Sequence, residues 1–328
     1  MQKKKLSNTK NSTTLFKDKP RISVDVVIAA KNEARYIGLC IDSVLGQVSE
    51  QYELKANIIV VDNGSTDETA EIAGAKGAKV YRKPDLSLAG VRNFGVAQGT
   101  GEYIAFIDAD CSARSDWLEV AVSLLKVGHA GAVGGPCDVP ENSNLIERAW
   151  NTPPDVELYV EADELATSSF ITKRSTFEEV GGFDPELGAG EDTEFSLKIK
   201  DNIGKLLSVG KCKVIHYGYP KTLMQFIRRE YWHGIWDAKR ARGRSKILIV
   251  SYGFGFFLAL SLVAAYFSLP LAFLIFCIAM GIPTALSLKK LQKARFQKSA
   301  AEGAMLMVLQ SLYLVTRSFA GIRAIACN

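Results

Sequence analysis

Residues 247–267 read ILIVSYGFGFFLALSLVAAYF, 21 positions without a charge, and residues 269–288 add 20 more after the break at Ser268. A hydrocarbon layer of roughly 30 Å needs about 20 helical residues, and a water-facing helix would show a polar face well before that length. Two membrane-spanning helices are therefore expected, in preference to a buried soluble bundle. The join Phe267-Ser268-Leu269-Pro270 is too short for anything but a tight hairpin, and Pro270 stands where the start of a helix tolerates proline. Both outer ends must then face the same side.

The charges say which side. Lys239, Arg240, Arg242, Arg244 and Lys246 precede the hairpin, Lys289, Lys290, Lys293, Arg295 and Lys298 follow it, and its tip carries none. Positive flanks stay in the cytoplasm. Residues 303–322 form a third apolar stretch interrupted by Arg317, which could span, re-enter or lie flat. An intramembrane arginine is costly unless it snorkels or pairs, which favours an interfacial or tilted helix.

The net charge of +5 is strongly segregated: +6 in residues 1–21, −13 in residues 22–220 and +12 in residues 221–328. A nucleic-acid binder would carry its positive charge on the folded domain, so the basic ends fit an anionic membrane surface and no nucleic-acid partner is expected. The N-terminal lysines precede no apolar core of a signal peptide, and residues 1–21 read as a basic disordered tail. The six cysteines (Cys40, Cys111, Cys137, Cys212, Cys277, Cys327) form no Cys-x-x-Cys pair and read as reduced thiols. The expected division is a catalytic domain at 22–235, a basic juxtamembrane segment at 236–246, the hairpin at 247–288, a basic loop at 289–302 and the third apolar segment at 303–328.

Within the acidic domain, short apolar runs alternate with amphipathic stretches, the rhythm of an α/β fold with a mostly parallel sheet flanked by helices. Residues 23–30 and 57–61 read as buried strands, and residues 33–45 as a helix with Ile37, Cys40, Ile41 and Val44 on one face. Ligands of open α/β sheets bind beyond the carboxyl ends of the strands, which makes Lys31-Asn32-Glu33 and Asp62-Asn63-Gly64 candidate ligand loops. Asp62-Asn-Gly-Ser-Thr-Asp67 could also be a simple turn, with Asp67 capping the next helix. No Gly-x-Gly-x-x-Gly or Gly-Lys-Ser/Thr loop is present to cradle phosphate. The strand ending in Asp108-Ala109-Asp110 offers another device, because alternation in an extended segment would aim both carboxylates to one side. Such a pair suits Mg²⁺ or Mn²⁺.

In order along the chain, residues 28–33 (IAAKNE), 59–67 (IVVDNGSTD), Arg92-Asn93-x-Gly95, Asp108-x-Asp110, Val180-Gly-Gly-Phe-Asp184 and Gly190-Glu191-Asp192 resemble the motifs of inverting family 2 glycosyltransferases. The resemblance covers roughly residues 22–235 and implies the A-type nucleotide-sugar-binding fold. It implies that Ala30, Glu33 and Asp62 bind the nucleotide, that Arg92 and Asp108 contact the donor, that Asp110 holds the metal, and that Asp192 is the general base. His216 resembles a histidine that some members add to the metal shell, and it could equally be an ordinary strand-end residue. The family's usual proline and aromatic in the first loop are here Ala29 and Lys31, so the base cannot be read from it. Processive members carry Gln-x-x-Arg-Trp, whereas this chain has Gln225-Phe-Ile-Arg228-Arg229 with Tyr231-Trp232 later. A single transfer is implied, with Arg228 or Arg229 steadying the diphosphate.

The chemistry agrees with those roles. Departure of a nucleoside diphosphate needs its growing charge neutralised, and attack from the opposite face needs a carboxylate to take the acceptor's proton. Glu191 and Asp192 would also suit a helix N-terminus without any catalytic role. Glycines 188 and 190 would leave the preceding loop free to close over a donor. Trp150, Trp232 and Trp236 remain unassigned between acceptor platform, interface anchor and core. The expected activity is metal-dependent transfer of one sugar from a nucleotide-diphosphate sugar to a lipid-linked or growing glycan acceptor at the inner membrane face, with membrane lipids as further partners. Against it stand a catalytically silent binding or scaffold protein and a sugar nucleotidyltransferase, which would want a Gly-rich basic loop after the first strand.

Overall fold

The computed structural model describes residues 19–326 apart from 129, 154, 155, 157, 241–244, 294 and 296. Nearly all of the N-terminal tail, together with Arg242, Arg244 and Cys327, lies outside the described residues. The first half of the chain contains β1 (Arg21–Ala30), α1 (Ile37–Leu45), β2 (Glu53–Asp62), α2 (Thr69–Ala75), β3 (Lys79–Arg82), α3 (Leu88–Ala97), β4 (Tyr103–Phe106), β5 (Cys111–Ala113), α4 (Trp117–Val127), β6 (Ala132–Gly134), β7 (Cys137–Asp138) and α5 (Leu145–Trp150). The second contains β8 (Tyr159–Ala162), β9 (Phe170–Lys173), α6 (Arg174–Glu179), α7 (Glu191–Asn202), β10 (Leu206–Val209), β11 (Val214–His216), α8 (Leu223–Arg240), α9 (Lys246–Phe267), α10 (Leu269–Lys293) and α11 (Ala300–Ala326).

Eight strands form one mixed sheet in the order β3-β2-β1-β4-β9-β6-β10-β8. Its first half is parallel, while β9 runs antiparallel to both β4 and β6, and β8 closes the far edge antiparallel to β10. A second sheet of three strands, β5-β11-β7, stands beyond the end of β4. Strand alternation divides the core: Val24, Val26, Ile28 and Ala30 pack with α1 and α4 on one face, and Val27 packs toward α3 and α7 on the other. On that second face Phe106, Phe170, Phe183 and Phe195 are fully buried against one another, each contributing about 1.5–3 kcal/mol of apolar burial. Gly95 of α3 sits against Val27, where any Cβ would overlap the valine, so the Arg92-Asn93-x-Gly95 motif includes a packing requirement.

Some boundaries differ from expectation. The strands run longer, β1 from Arg21 and β2 from Glu53, while residues 33–36 make a turn and α1 begins only at Ile37. The division drawn between residues 235 and 236 falls inside α8, which continues unbroken to Arg240.

Three helices, Lys246–Phe267, Leu269–Gln292 and Ala300–Ala324, are long and apolar enough to cross a membrane. On α9 and α10, Leu262, Val263, Phe267, Leu269 and Phe273 face outward, as lipid-facing side chains do. The third helix differs. It packs along α8, where a Cβ added at Gly234 would meet Ala320 Cβ at 2.7 Å. Arg317, 7% exposed, donates to Glu230 Oε2 at 2.8 Å and to Asp237. Pairing with two acids of α8 meets the cost of carrying this arginine in an apolar helix.

Candidate active site

The parallel register places Ala30 beside Asp62 at the carboxyl edge of the sheet. The two loops that follow are stitched together: Asn32 N donates to Ser65 Oγ at 2.9 Å, Thr66 N donates to Asn32 Oδ1 at 2.8 Å, and Glu33 N donates to Thr69 Oγ1 at 2.7 Å. Asn32 reaches these partners from a left-handed backbone, φ 57°. Asparagine tolerates that region better than most residues, and its need there was not evident from the sequence. Asp62 is buried, accepts from Ser65 N at 2.9 Å and lies 3.7 Å from Arg82 Nε. Asp67 accepts from Thr69 N at 3.2 Å, but Glu68 holds the cap position of α2 and Asp67 also ties down Ala34 N. Glu33 looks toward Asp110, Asp67 and Asp108, and burial followed by these three charges raises its pKa to about 7.

Asp108 and Asp110 converge, but not by strand alternation. β4 ends at Phe106, and residues 108–111 form a turn closed by Cys111 N donating to Asp108 O at 3.0 Å. The turn faces β11, where Tyr217 N donates to Asp110 O at 2.9 Å and His216 Nε2 lies 3.4 Å from Asp110 Oδ1. One ligand atom each from Asp108, Asp110, Cys111 and His216 fits within 4.8 Å of the others. Two observations suit a divalent cation here. His216 Nδ1 is buried without a hydrogen-bond partner among the described residues, and a Cβ at Gly218 would overlap Asp110 Oδ2, so the chain leaves that carboxylate clear. Cys111 was not foreseen as a neighbour of this cluster. Burial, with Asp108 and Asp110 beside it, holds its thiol well above the ordinary cysteine range. Burial also raises Asp110, opposed by His216 and reinforced by Asp108.

Arg92 joins this cluster to the next motif. It is 4% exposed, donates to Asp108 Oδ1 at 3.1 Å and pairs with Glu191. It thus bridges two carboxylates. Asp192 follows Glu191 in the first turn of α7, entered through Gly190 at φ 77°. Burial, reinforced by Glu191 and opposed by Arg92, lifts the pKa of Asp192 to about 6. The Val180-Gly-Gly-Phe-Asp184 segment anchors this region: Asn93 Nδ2 donates to Phe183 O at 2.8 Å and Phe183 N donates back to Asn93 Oδ1 at 3.0 Å. Gly188 does not simply loosen the loop, because it lies against the Trp236 ring with no room for a Cβ.

The remaining expected residues separate. Arg229 is half-buried, 5.5 Å from the Tyr219 ring, and its charge acts on Asp110, whereas Arg228 is exposed. Of the tryptophans, Trp150 packs edge-on to Phe226, Trp236 covers Gly188 and Trp232 is exposed.

The stitched loops at the carboxyl edge, a carboxylate turn with histidine, and Asp192 at a helix start thus gather at one end of a mixed α/β sheet. Residues 25–185 match the glycosyl transferase family 2 domain. This domain is a family 2 glycosyl transferase. The glycosyltransferase AglE of Haloferax volcanii is 29% identical over 189 residues, 54% of this chain and 61% of the relative. The putative glycosyltransferase EpsH of Bacillus subtilis is 34% identical over 102 residues, 30% of this chain and 27% of the relative. The chain therefore spans less than two thirds of the length of either relative. Among solved structures, the Pyrobaculum calidifontis mannosyltransferase PcManGT, in complex with GDP-Man and Mn²⁺, is similar with a TM-score of 0.58 and 19% identity, over 92% of this chain and 87% of that one. GalNAc-T7 with UDP, GalNAc and Mn²⁺ is similar with a TM-score of 0.50 and 21% identity, over 68% and 52% of the two chains. The domain has the A-type glycosyltransferase fold.

Proposed function

We propose that the chain is a metal-dependent inverting glycosyltransferase that moves a single sugar from a nucleotide-diphosphate sugar to a lipid-linked or growing glycan acceptor at the cytoplasmic face of the cell membrane. The observation that carries the reading is the joining of Asp108 to Glu191 through Arg92, which sets the carboxylate turn beside the helix start holding Asp192.

In this reading Ala30, Glu33 and Asp62 receive the nucleotide and Asp108 meets the donor's ribose or sugar. Asp110 and His216 would hold Mn²⁺ or Mg²⁺, as the Mn²⁺ in the complexes of both similar structures supports. When bound, such an ion supplies Lewis-acid neutralisation of the departing diphosphate. Arg229, on the same side as Asp110, adds a fixed positive charge for that diphosphate, a role for which exposed Arg228 is less well placed. Asp192 takes the acceptor hydroxyl's proton as its oxygen attacks the anomeric carbon and the bond to the diphosphate breaks. One base without a carboxylate nucleophile opposite it gives inversion. The basic flanks of the hairpin support a cytoplasmic position for the domain.

The test is nucleoside diphosphate release by the detergent-purified chain over a panel of nucleotide sugars, with Mn²⁺, Mg²⁺ or chelator, with and without membrane lipid extract. Chelator-sensitive release from one donor, stimulated by the extract, is expected. Donor binding without release under every acceptor condition would favour a silent binding protein.

A further inference from the structure

A cavity of about 220 Å³ lies where the membrane helices meet the catalytic domain, beside the first basic residues that follow the hairpin. Its apolar wall is Ile247, the first residue of the first uncharged run, with Leu286 near the end of the second. Lys289 and Lys290 follow directly, which puts the cavity at the depth of lipid headgroups rather than of tails. Trp150 from α5 and Tyr313 and Gln310 from α11 complete it.

Its lining includes one amide and two ammonium groups. Gln310 is 3% exposed and lines the cavity. Lys290 Nζ lies 3.5 Å from the centroid of the Trp150 ring, which fixes the ammonium without using its protons as hydrogen-bond donors. Neither Lys289 nor Lys290 has a carboxylate within ion-pair reach among the described residues, and Glu230, the acid whose charge reaches Lys290, is bound to Arg317. A buried amide beside one half-buried and one exposed ammonium group offers several donors to a ligand with anionic oxygens. A phosphate provides them, and the apolar wall suits the first carbons of a chain attached to it.

We propose that this cavity binds the phosphate head of a phosphate-bearing lipid, seated by Lys289, Lys290 and Gln310 against Trp150. The inference rests on the membrane reading proposed above and not on the donor chemistry. The site lies near the cation cluster: Asn151, next to Trp150, accepts from Tyr219 Oη at 3.4 Å, and the Tyr219 ring lies 4.5 Å from that of His216. Trp150, Asn151 and Tyr219 therefore separate a lipid held here from His216.

The experiment is calorimetric titration of the full chain in a maltoside detergent with dihexanoyl phosphatidate, dihexanoylglycerol and inorganic phosphate. Phosphatidate is expected to bind roughly tenfold or more tightly than either control, and Lys290→Gln or Gln310→Leu to weaken it by roughly tenfold with the thermal unfolding midpoint retained. Lys289→Gln, on an exposed side chain, gives the same readout if a buried change disturbs folding. Equal binding of dihexanoylglycerol would reduce the cavity to an apolar patch, and equal binding of inorganic phosphate would make it a free-anion site. Native-like phosphatidate affinity in folded variants would also overturn the proposal. Failure of the membrane reading is seen separately, as recovery of the expressed chain in the soluble fraction.

Discussion

Glu191 accepts a hydrogen bond from Arg92 across 99 residues of sequence, and the two are 5% and 4% exposed. The same guanidinium holds Asp108, so one buried cation fixes the spacing of two carboxylate motifs. Replacing Arg92 by Met would leave Glu191 charged and unpaired in the interior. The expected loss is about 3–5 kcal/mol of stability, read by denaturant unfolding. Arg92→Lys keeps a charge but not the planar fork, and should cost less stability while lowering diphosphate release by roughly tenfold. Native turnover in the lysine variant would remove the bridging role.

Asp192 gives a pH prediction with a definite sign. Its pKa is raised from 3.8 to about 6, chiefly by burial, and a general base works only when ionised. Transfer should therefore increase with pH through about 6. Folding binds this proton more tightly than the unfolded chain does, so the stabilising contribution is complete below the unfolded value and is lost as pH rises through the folded one. At neutral pH the ionised group costs about 3 kcal/mol. Asp192→Asn should consequently be more stable than the native chain at pH 8, equal to it near pH 3, and inactive in transfer while still binding donor. Transfer by this variant, or a stability gain independent of pH, would contradict the assignment.

What could be read from the sequence was mostly what neighbouring residues determine. The hairpin, the two opening strands and the Asp108/Asp110 pair were legible because uncharged length, apolar runs and short spacing are local properties. The means by which the two aspartates converge was not, since the turn at 108–111 depends on β11, which joins from about a hundred residues later. Distance in the chain also hid the buried pair in which Arg174 donates to Asp25 at 2.6 Å. Arg317 was recognisable as a problem for a membrane helix, but its partners Glu230 and Asp237 emerge only when α11 lies along α8.

Gly218 separates cation binding from the loss of a ligand. Its Cβ would overlap Asp110 Oδ2, so Gly218→Ala must turn that carboxylate away without removing it. Mn²⁺ affinity, measured by electron paramagnetic resonance of the free ion, should weaken roughly tenfold or more, the scale typical of disturbed ligand orientation. His216→Ala should weaken it similarly, and Asp110→Ala should abolish metal-dependent release. Unchanged affinity in all three variants would exclude this cluster as the metal site.

Trp236 and Gly188 should be coupled. Gly188 lies in a loop three residues before the start of α7, and the three atoms nearest to an added Cβ all belong to the indole ring of Trp236. That ring is carried by α8, which Arg317 of α11 holds through Glu230 and Asp237, so the backbone behind the ring is clamped. In Gly188→Ala the loop must yield instead, carrying the start of α7 and Asp192 with it. Turnover should fall by roughly tenfold, since small displacements of a catalytic group have effects of that size or greater. Trp236→Ala frees the space, so adding it to Gly188→Ala should recover activity relative to the glycine variant. A double-mutant cycle should then give a coupling of about 0.5–3 kcal/mol between the two positions. Strict additivity would mean that the loop adjusts independently of the ring, and that the membrane-side helices do not influence the base through this contact.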